Sequence, residues 1–178
     1  VPELCEQCLA AARTAGDLSE QADVLCLMAV AARKGGQLTA ARAWLRESAE
    51  LAVYGGYPLR MIDVVEQGGH LCAATGRPAE AVTLWSAATA QCRAVGLVEP
   101  LQEERDRERP LAEARRALDD RQFAAAENRG AAMTLAAAVE FAVITAGEDG
   151  PDVATGRPGL ARLSARERGG TRRCSSPA

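Results

Sequence analysis

Apolar and polar positions alternate along this chain with the period of a helix, and short glycine-bearing turns interrupt the period at regular intervals. Ala22, Leu25, Met28, Ala29 and Ala32 fall on one side of a helical projection. So do Leu38, Ala41, Leu45, Ser48 and Ala52, then Leu59, Ile62, Val65, Gly69 and Ala73, then Ala81, Leu84, Ala88, Cys92 and Val95. Spacings of three and four are those of an amphipathic helix. No segment shows the alternation of β-branched and polar residues that marks a strand. The pattern predicts an all-α protein built of antiparallel helix pairs, with small residues letting neighbouring helices approach closely.

The turns repeat as well. "RTAGDL" (Arg13–Leu18), "VYGGYP" (Val53–Pro58) and "RAVGLV" (Arg93–Val98) place Gly16, Gly56 and Gly96 forty residues apart. A second series is offset by half a repeat: "GQLTAARAWL" (Gly36–Leu45) aligns with "GRPAEAVTLW" (Gly76–Trp85). Each glycine is expected to close a helix from the left-handed conformation at its C-terminal cap. Pro58 and Pro78 suit the first turn of a helix, and Asp17 with Glu20 suits a capping box. The G-x-[L/P]-x-x-A pattern resembles tetratricopeptide-type repeats, whose usual length is ~34 residues. That resemblance implies a short stacked solenoid with a concave binding surface.

Beyond Gly96 the pattern changes. Residues 99–121, "EPLQEERDRERPLAEARRALDDR", are dense in charge but nearly balanced in sign. Closely spaced Glu and Arg fit the solvated face of a capping helix, and the carboxylates cancel the arginines that a nucleic-acid surface would need. Pro110 is predicted to kink that helix or restart it. Asp119 or Asp120 caps a short helix containing Phe123, which Gly130 ends. Thr134 caps a last helix that buries Leu135, Ala138, Val139 and Ala142 and closes at Gly147. "EDGPDVATGRPG" is turn-rich and polar. The organisation expected is helical repeats of period 40 over 1–97, capping helices over 98–146, a linker over 147–162 and a distinct end over 163–178.

Composition narrows the function classes. Of the 178 residues, 48% are hydrophobic but only 3% aromatic, so the core is mostly alanine, leucine and valine, and alanine favours helices over strands. A net charge of −3 makes no overall case for nucleic-acid or membrane attraction. No apolar run is long enough to span a bilayer, so no membrane partner is expected. The opening "VPELCEQCLA" has no signal-peptide pattern and no initiator methionine, which leads us to expect a segment of a longer, cytoplasmic chain. The six cysteines, Cys5, Cys8, Cys26, Cys72, Cys92 and Cys174, are read as reduced thiols.

Candidate chemistry is sparse. Cys5-Glu-Gln-Cys8 is a CxxC without a second pair, whereas a zinc site needs about four ligands, and no metal is assigned. A redox CxxC belongs in a βαβ setting. His70 is the single histidine and reads as a helix-surface residue, and nothing marks an oxyanion hole for a Cys–His hydrolase. Gly35-Gly36 reads as a helix cap and Gly68-Gly69 as a close-packing site. No GxxxxGK[ST] phosphate loop occurs, so no cofactor is assigned to this segment. The aromatic residues leave two readings open. Trp44 and Trp85, on the second helix of each pair, either pack the core or line a ligand or peptide groove together with Tyr54 and Tyr57.

A wider resemblance rests on "AEAVTLWSAATAQCRAVGLVEP" (79–100) and "ERDRERPLAEARRALDDRQFAAAENRGAAMTLAAAVEFA" (104–142). These resemble the C-terminal end of the helical-repeat region in large actinobacterial ATP-dependent regulators of the LuxR family, which carry a STAND-type ATPase first. The matching positions are Ala81, Leu84, Ala87, Ala88 and Gly96, then Ala114, Arg115, Leu118, Phe123, Gly130, Thr134 and Ala138. Glu127 stands where the family often has tryptophan, and Ala137 where it often has glutamate. The resemblance covers roughly residues 13–144. In "GLARLSARERGGTRR" (Gly159–Arg173), Leu163, Ser164, Ala165, Arg166 and Glu167 resemble the first turn of a LuxR-type DNA-binding domain, with Ser164 and Glu167 as a capping box. The match stops after Arg168, and no recognition helix follows. The resemblance implies a non-catalytic sensor segment that receives a protein or small-molecule signal and couples it to an upstream ATPase domain. ATP is expected in that domain, and DNA contact only through a helix-turn-helix that this segment lacks. The competing readings are a free-standing tetratricopeptide-like adaptor and, more remotely, an enzyme using Cys5, Cys8 or His70.

Overall fold

The computed structural model describes residues 2–97 and 101–147. The expected linker over 147–162 and the LuxR-like end over 163–178, with Cys174, lie outside the described residues but for Gly147. Among the described residues there are eight helices and no strand: α1 (Pro2–Ala15), α2 (Leu18–Lys34), α3 (Leu38–Gly55), α4 (Pro58–Ala74), α5 (Pro78–Ala94), α6 (Leu101–Ala117), α7 (Asp120–Ala131) and α8 (Leu135–Gly147). The protein is an all-α helical-repeat arrangement, as the periodicity predicts.

Local chemistry sets the helix ends. Gly16, Gly36, Gly56, Gly76 and Gly96 all have positive φ, between 65° and 76°. The amide after each one reaches back five residues: Asp17 to the Ala12 carbonyl, Gln37 to Ala32, Tyr57 to Ala52, Arg77 to Cys72 and Leu97 to Cys92, at 2.8–3.0 Å. The glycine amide itself reaches back three, as Gly56 does to Val53 at 3.2 Å. This is the Schellman termination, five times at one spacing of twenty residues. At the opposite ends, Asp17 Oδ1 accepts from the Glu20 amide at 3.0 Å, and Pro58 and Pro78 each occupy the first helical turn. Asp119 and Gln122 form a full capping box at the start of α7, and the Thr134 hydroxyl accepts from the Ala137 amide at 3.3 Å ahead of α8.

The repeats stack through small residues. α2 packs with α3 and α4 with α5, while α3 and α2 both lean on α4. Ala22, Ala41, Ala52 and Ala81 have no exposed surface, and the Ser48 hydroxyl in the same stripe is satisfied by donating to the Ala22 carbonyl at 2.7 Å. Leu59 and Val95, assigned to stripes by periodicity, are instead half exposed at helix ends.

Beyond α5 the chain leaves the repeat order. The helix packed along α5 is α7 rather than α6, and α8 crosses α3, α4 and α5 to close the main core cluster with Ala138, Val139 and Ala142. Two sequence expectations need correction here. Gly130 is the second-last residue of α7 and is not a left-handed cap; it serves instead the contact with α5, where an added Cβ would stand 2.0 Å from the Thr83 carbonyl oxygen. Of the two alternatives at Pro110 the restart is the one overturned, since α6 runs through the proline. Side chains on both sides of the proline, Arg107 and Ala114, are buried against the rest of the molecule. Gly68 and Gly69 are close-packing positions as expected: a Cβ at Gly68 would meet Ala142 Cβ at 2.7 Å, and one at Gly69 would meet Trp85 Nε1 at 2.6 Å.

Candidate functional site: a buried polar cluster beneath α6

α4 carries Glu66 and His70 one turn apart, so both face the same way. Each sits within a helix stripe that is otherwise apolar or small, and each is buried, at 2% and 4% exposure. His70 is thus a core residue, which corrects its reading as a helix-surface histidine. Its Nε2 lies 3.1 Å from Glu66 Oε1, and its ring meets the edge of Trp85 with centroids 5.3 Å apart.

α6 brings the third member. Arg107, 8% exposed, donates Nε–H to Glu66 Oε1 at 2.7 Å and Nη2–H to Glu66 Oε2, and its Nη1 donates to the Thr89 hydroxyl of α5 at 3.0 Å. The two parallel bonds to one carboxylate are the fork geometry that guanidinium supplies and ammonium cannot. Burial by itself would raise the Glu66 carboxyl. The hydrogen bonds from His70 and Arg107, together with the Arg107 charge, outweigh burial and hold it below the usual carboxylate range. Glu66 is therefore a saturated anion, the opposite of the raised, accessible carboxyl that a general base requires.

Open space flanks the cluster. A cavity of about 330 Å³ on the α5 side is lined by Trp85, Ser86, Thr89, Arg93, Arg107 and Asn128 among others. On the other side a cavity of about 280 Å³ is bounded by Arg33, His70, Asp106, Arg109 and Glu113, and a third of about 270 Å³ runs on past Pro110 and Ala114. Arg33 Nε is buried without a hydrogen-bond partner. Burial pushes the Arg33 guanidinium down, against the pull of the Asp106 and Glu66 charges. Asp106 also pairs with Lys34 at 3.3 Å.

No protein-family model, curated protein or solved structure matches this chain.

The four aromatic residues considered for a ligand groove are placed differently from one another. Trp85 is 2% exposed, wedged over Gly69 and against His70, and of the four it alone borders any of the three cavities. Trp44 packs between two core clusters. Tyr57 covers Gly55, where a Cβ would fall 2.1 Å from its ring, and Tyr54 is 84% exposed. The core-packing alternative describes Trp85 and Trp44. Cys5 packs partly against the small cluster of Leu9 and Leu25, and Cys8 is exposed. Among the described residues no three His, Cys, Asp or Glu side chains gather in a way that could hold a metal ion.

Sequence reasoning missed Glu66 and Arg107. A signal was present: Ile62, Val65, Glu66 and Gly69 follow the spacing i, i+3, i+4, i+7, so Glu66 occupies a core slot and demands a buried cation. Which of the many arginines answers it is a tertiary matter.

Proposed function

We propose that this chain is a non-catalytic sensor and interaction segment of an ATP-dependent LuxR-family transcriptional regulator. The observation that supports an interaction role is the use of the buried charged cluster beneath α6: Glu66, His70 and Arg107 are spent on seating a helix, not on presenting a reactive group. Stacked helix pairs suit such a role, since signal contacts that favour one packing between repeats bias the assembly of whatever is attached to them. The regulator assignment itself rests on the sequence resemblance. In that reading ATP binds an upstream domain, DNA is reached only through a separate helix-turn-helix, and the segment works in the cytoplasm. No helix among the described residues is long and apolar enough to cross a membrane.

The coding DNA on both sides of this segment tests the assignment. An in-frame nucleotide-binding domain upstream and a helix-turn-helix downstream, in any frame, are the expected result. A start codon directly before Val1 with neither domain nearby would replace the regulator with a free-standing peptide-binding adaptor.

A further inference from the structure

The three helices that follow the repeats are held by different means. α7 meets α5 at Gly130 with no room for a methyl group, and α8 meets α4 at Gly68 in the same way. α6 is seated by a charge at Arg107 and, further along, by Ala114 and Leu111 packing with Val82 of α5 and Phe123 and Ala126 of α7. Among its described side chains only Arg107 and Ala114 are buried, with Leu111 partly buried between them, a spacing of i, i+4, i+7 along one face. Each of the three cavities described above has α6 residues in its wall: Arg107 and Leu111 in the first, Asp106, Arg109, Pro110 and Glu113 in the second, Pro110 and Ala114 in the third. Along both flanks α6 borders open grooves and not packed side chains, so its contacts are confined to one face. Pro110 also removes one backbone hydrogen bond from the helix itself.

We propose that the seat between α4 and α5 is a helix-binding site of which α6 is a displaceable, built-in occupant. Its partner is a helix carrying arginine with an apolar residue four positions on and a small one seven positions on. Glu66 is the selecting group. Its carboxylate lies at the bottom of the seat, 3.1 Å from His70 Nε2, and accepts two parallel N–H bonds that lysine cannot offer. A competing helix that docks its own arginine on Glu66 and Thr89 releases α6, while α7 and α8 stay docked on α4 and α5. The self-occupied state lowers the apparent affinity for a partner by the fraction of time that the seat stands open. The proposal deepens the interaction-segment reading and rests on it only in taking the segment to act by binding. The DNA test of the regulator assignment does not touch the seat, so the two fail separately.

Two measurements on the full chain test it. Amide hydrogen exchange on the unaltered protein should show 105–117 at least about tenfold less protected than the amides of α7 and α8. Equal protection would overturn the proposal. Second, a labelled synthetic peptide of residues 101–117 is titrated by fluorescence anisotropy against the wild-type chain and the R107A chain. The expected result is binding at least about tenfold tighter to the R107A chain, whose own helix no longer competes. The same peptide with lysine in place of Arg107 should bind at least about tenfold more weakly. Absence of binding to a folded R107A chain, or indifference to the lysine replacement, would also overturn it. If the R107A chain does not fold, the exchange measurement decides alone.

Discussion

Gly56 and Gly130 would answer the addition of a methyl group in different ways. At Gly56, with φ at 65°, nothing lies within 4 Å of the new Cβ, so Gly56→Ala costs only the left-handed backbone, about 1–2 kcal/mol. At Gly130 the Cβ would stand 2.0 Å from the Thr83 carbonyl oxygen and 2.9 Å from Ser86 Cβ. Backbone cannot yield as a side-chain tip can, so α7 must part from α5, and Gly130→Ala should lose about 3 kcal/mol. Urea unfolding of both variants checks this, and equal losses would remove the close docking from the account. Glu66 gives a residue-scale prediction in pH. Its folded pKa is held below the ordinary 4.5, so its contribution to stability is present above that value and is lost as pH falls through the folded value. The wild-type protein should therefore weaken on acidification below pH 4.5. Glu66→Gln should show a shallower acid slope and, with Arg107 left buried beside a neutral amide, about 3 kcal/mol less stability near pH 7. Urea midpoints across the acid range decide, and an unchanged slope would sink the depressed-carboxyl assignment.

At the scale of an element, α6 is the instructive helix. Its sequence reads as kinked or restarted at Pro110, and it runs through the proline without a restart, with Arg107 on one side and Ala114 on the other both tied down. Proline in a helix interior costs on the order of 3 kcal/mol through a lost bond and a ring clash. Pro110→Ala should restore part of this locally. Exchange of amides in 105–117 should slow by about tenfold while α2–α5 keep their rates. Slowing throughout the protein would show that α6 opens only with the whole molecule. α7 shows the converse error of reading. Glycine at 130 looks like a terminator in a local window, yet the helix continues to Ala131 and the glycine serves the contact with α5.

For the whole molecule, α8 determines whether the repeats are closed. It lies across α3, α4 and α5, fills the core with Ala138, Val139 and Ala142, and joins Arg77 of the α4–α5 turn to the Thr145 carbonyl. Cys72 Sγ donates to the Thr145 hydroxyl at 3.5 Å, and burial pushes that thiol up. A chain ending at Ala132 should be less stable than one ending at Gly147 by at least about 3 kcal/mol, a fall in Tm of roughly 6–12 °C. Alkylation of Cys72 should become fast in the shorter chain, read by mass spectrometry. A Cys72 that stays protected would mean that the repeats close without α8.

The repeat unit was legible in the amino-acid order alone. A helical period of apolar side chains, a left-handed glycine after each repeat helix and a proline or aspartate at the start of α2, α4 and α5 act within about five residues, the range over which backbone sterics and capping operate. That is why all five turn glycines and the Asp17, Asp119 and Thr134 caps agree between sequence and structure, although the box expected at Asp17 is only half formed, its amide being taken by the Ala12 carbonyl. The candidate site was not legible in this way. Glu66 and Arg107 stand 41 residues apart, and their meeting depends on α7 rather than α6 packing along α5, and on α6 settling across α4 and α5. Such choices follow from which surfaces exclude each other at Gly130 and Gly68 and from which buried charge finds a partner. Those energies belong to pairs of distant segments and are absent from any window of neighbouring residues.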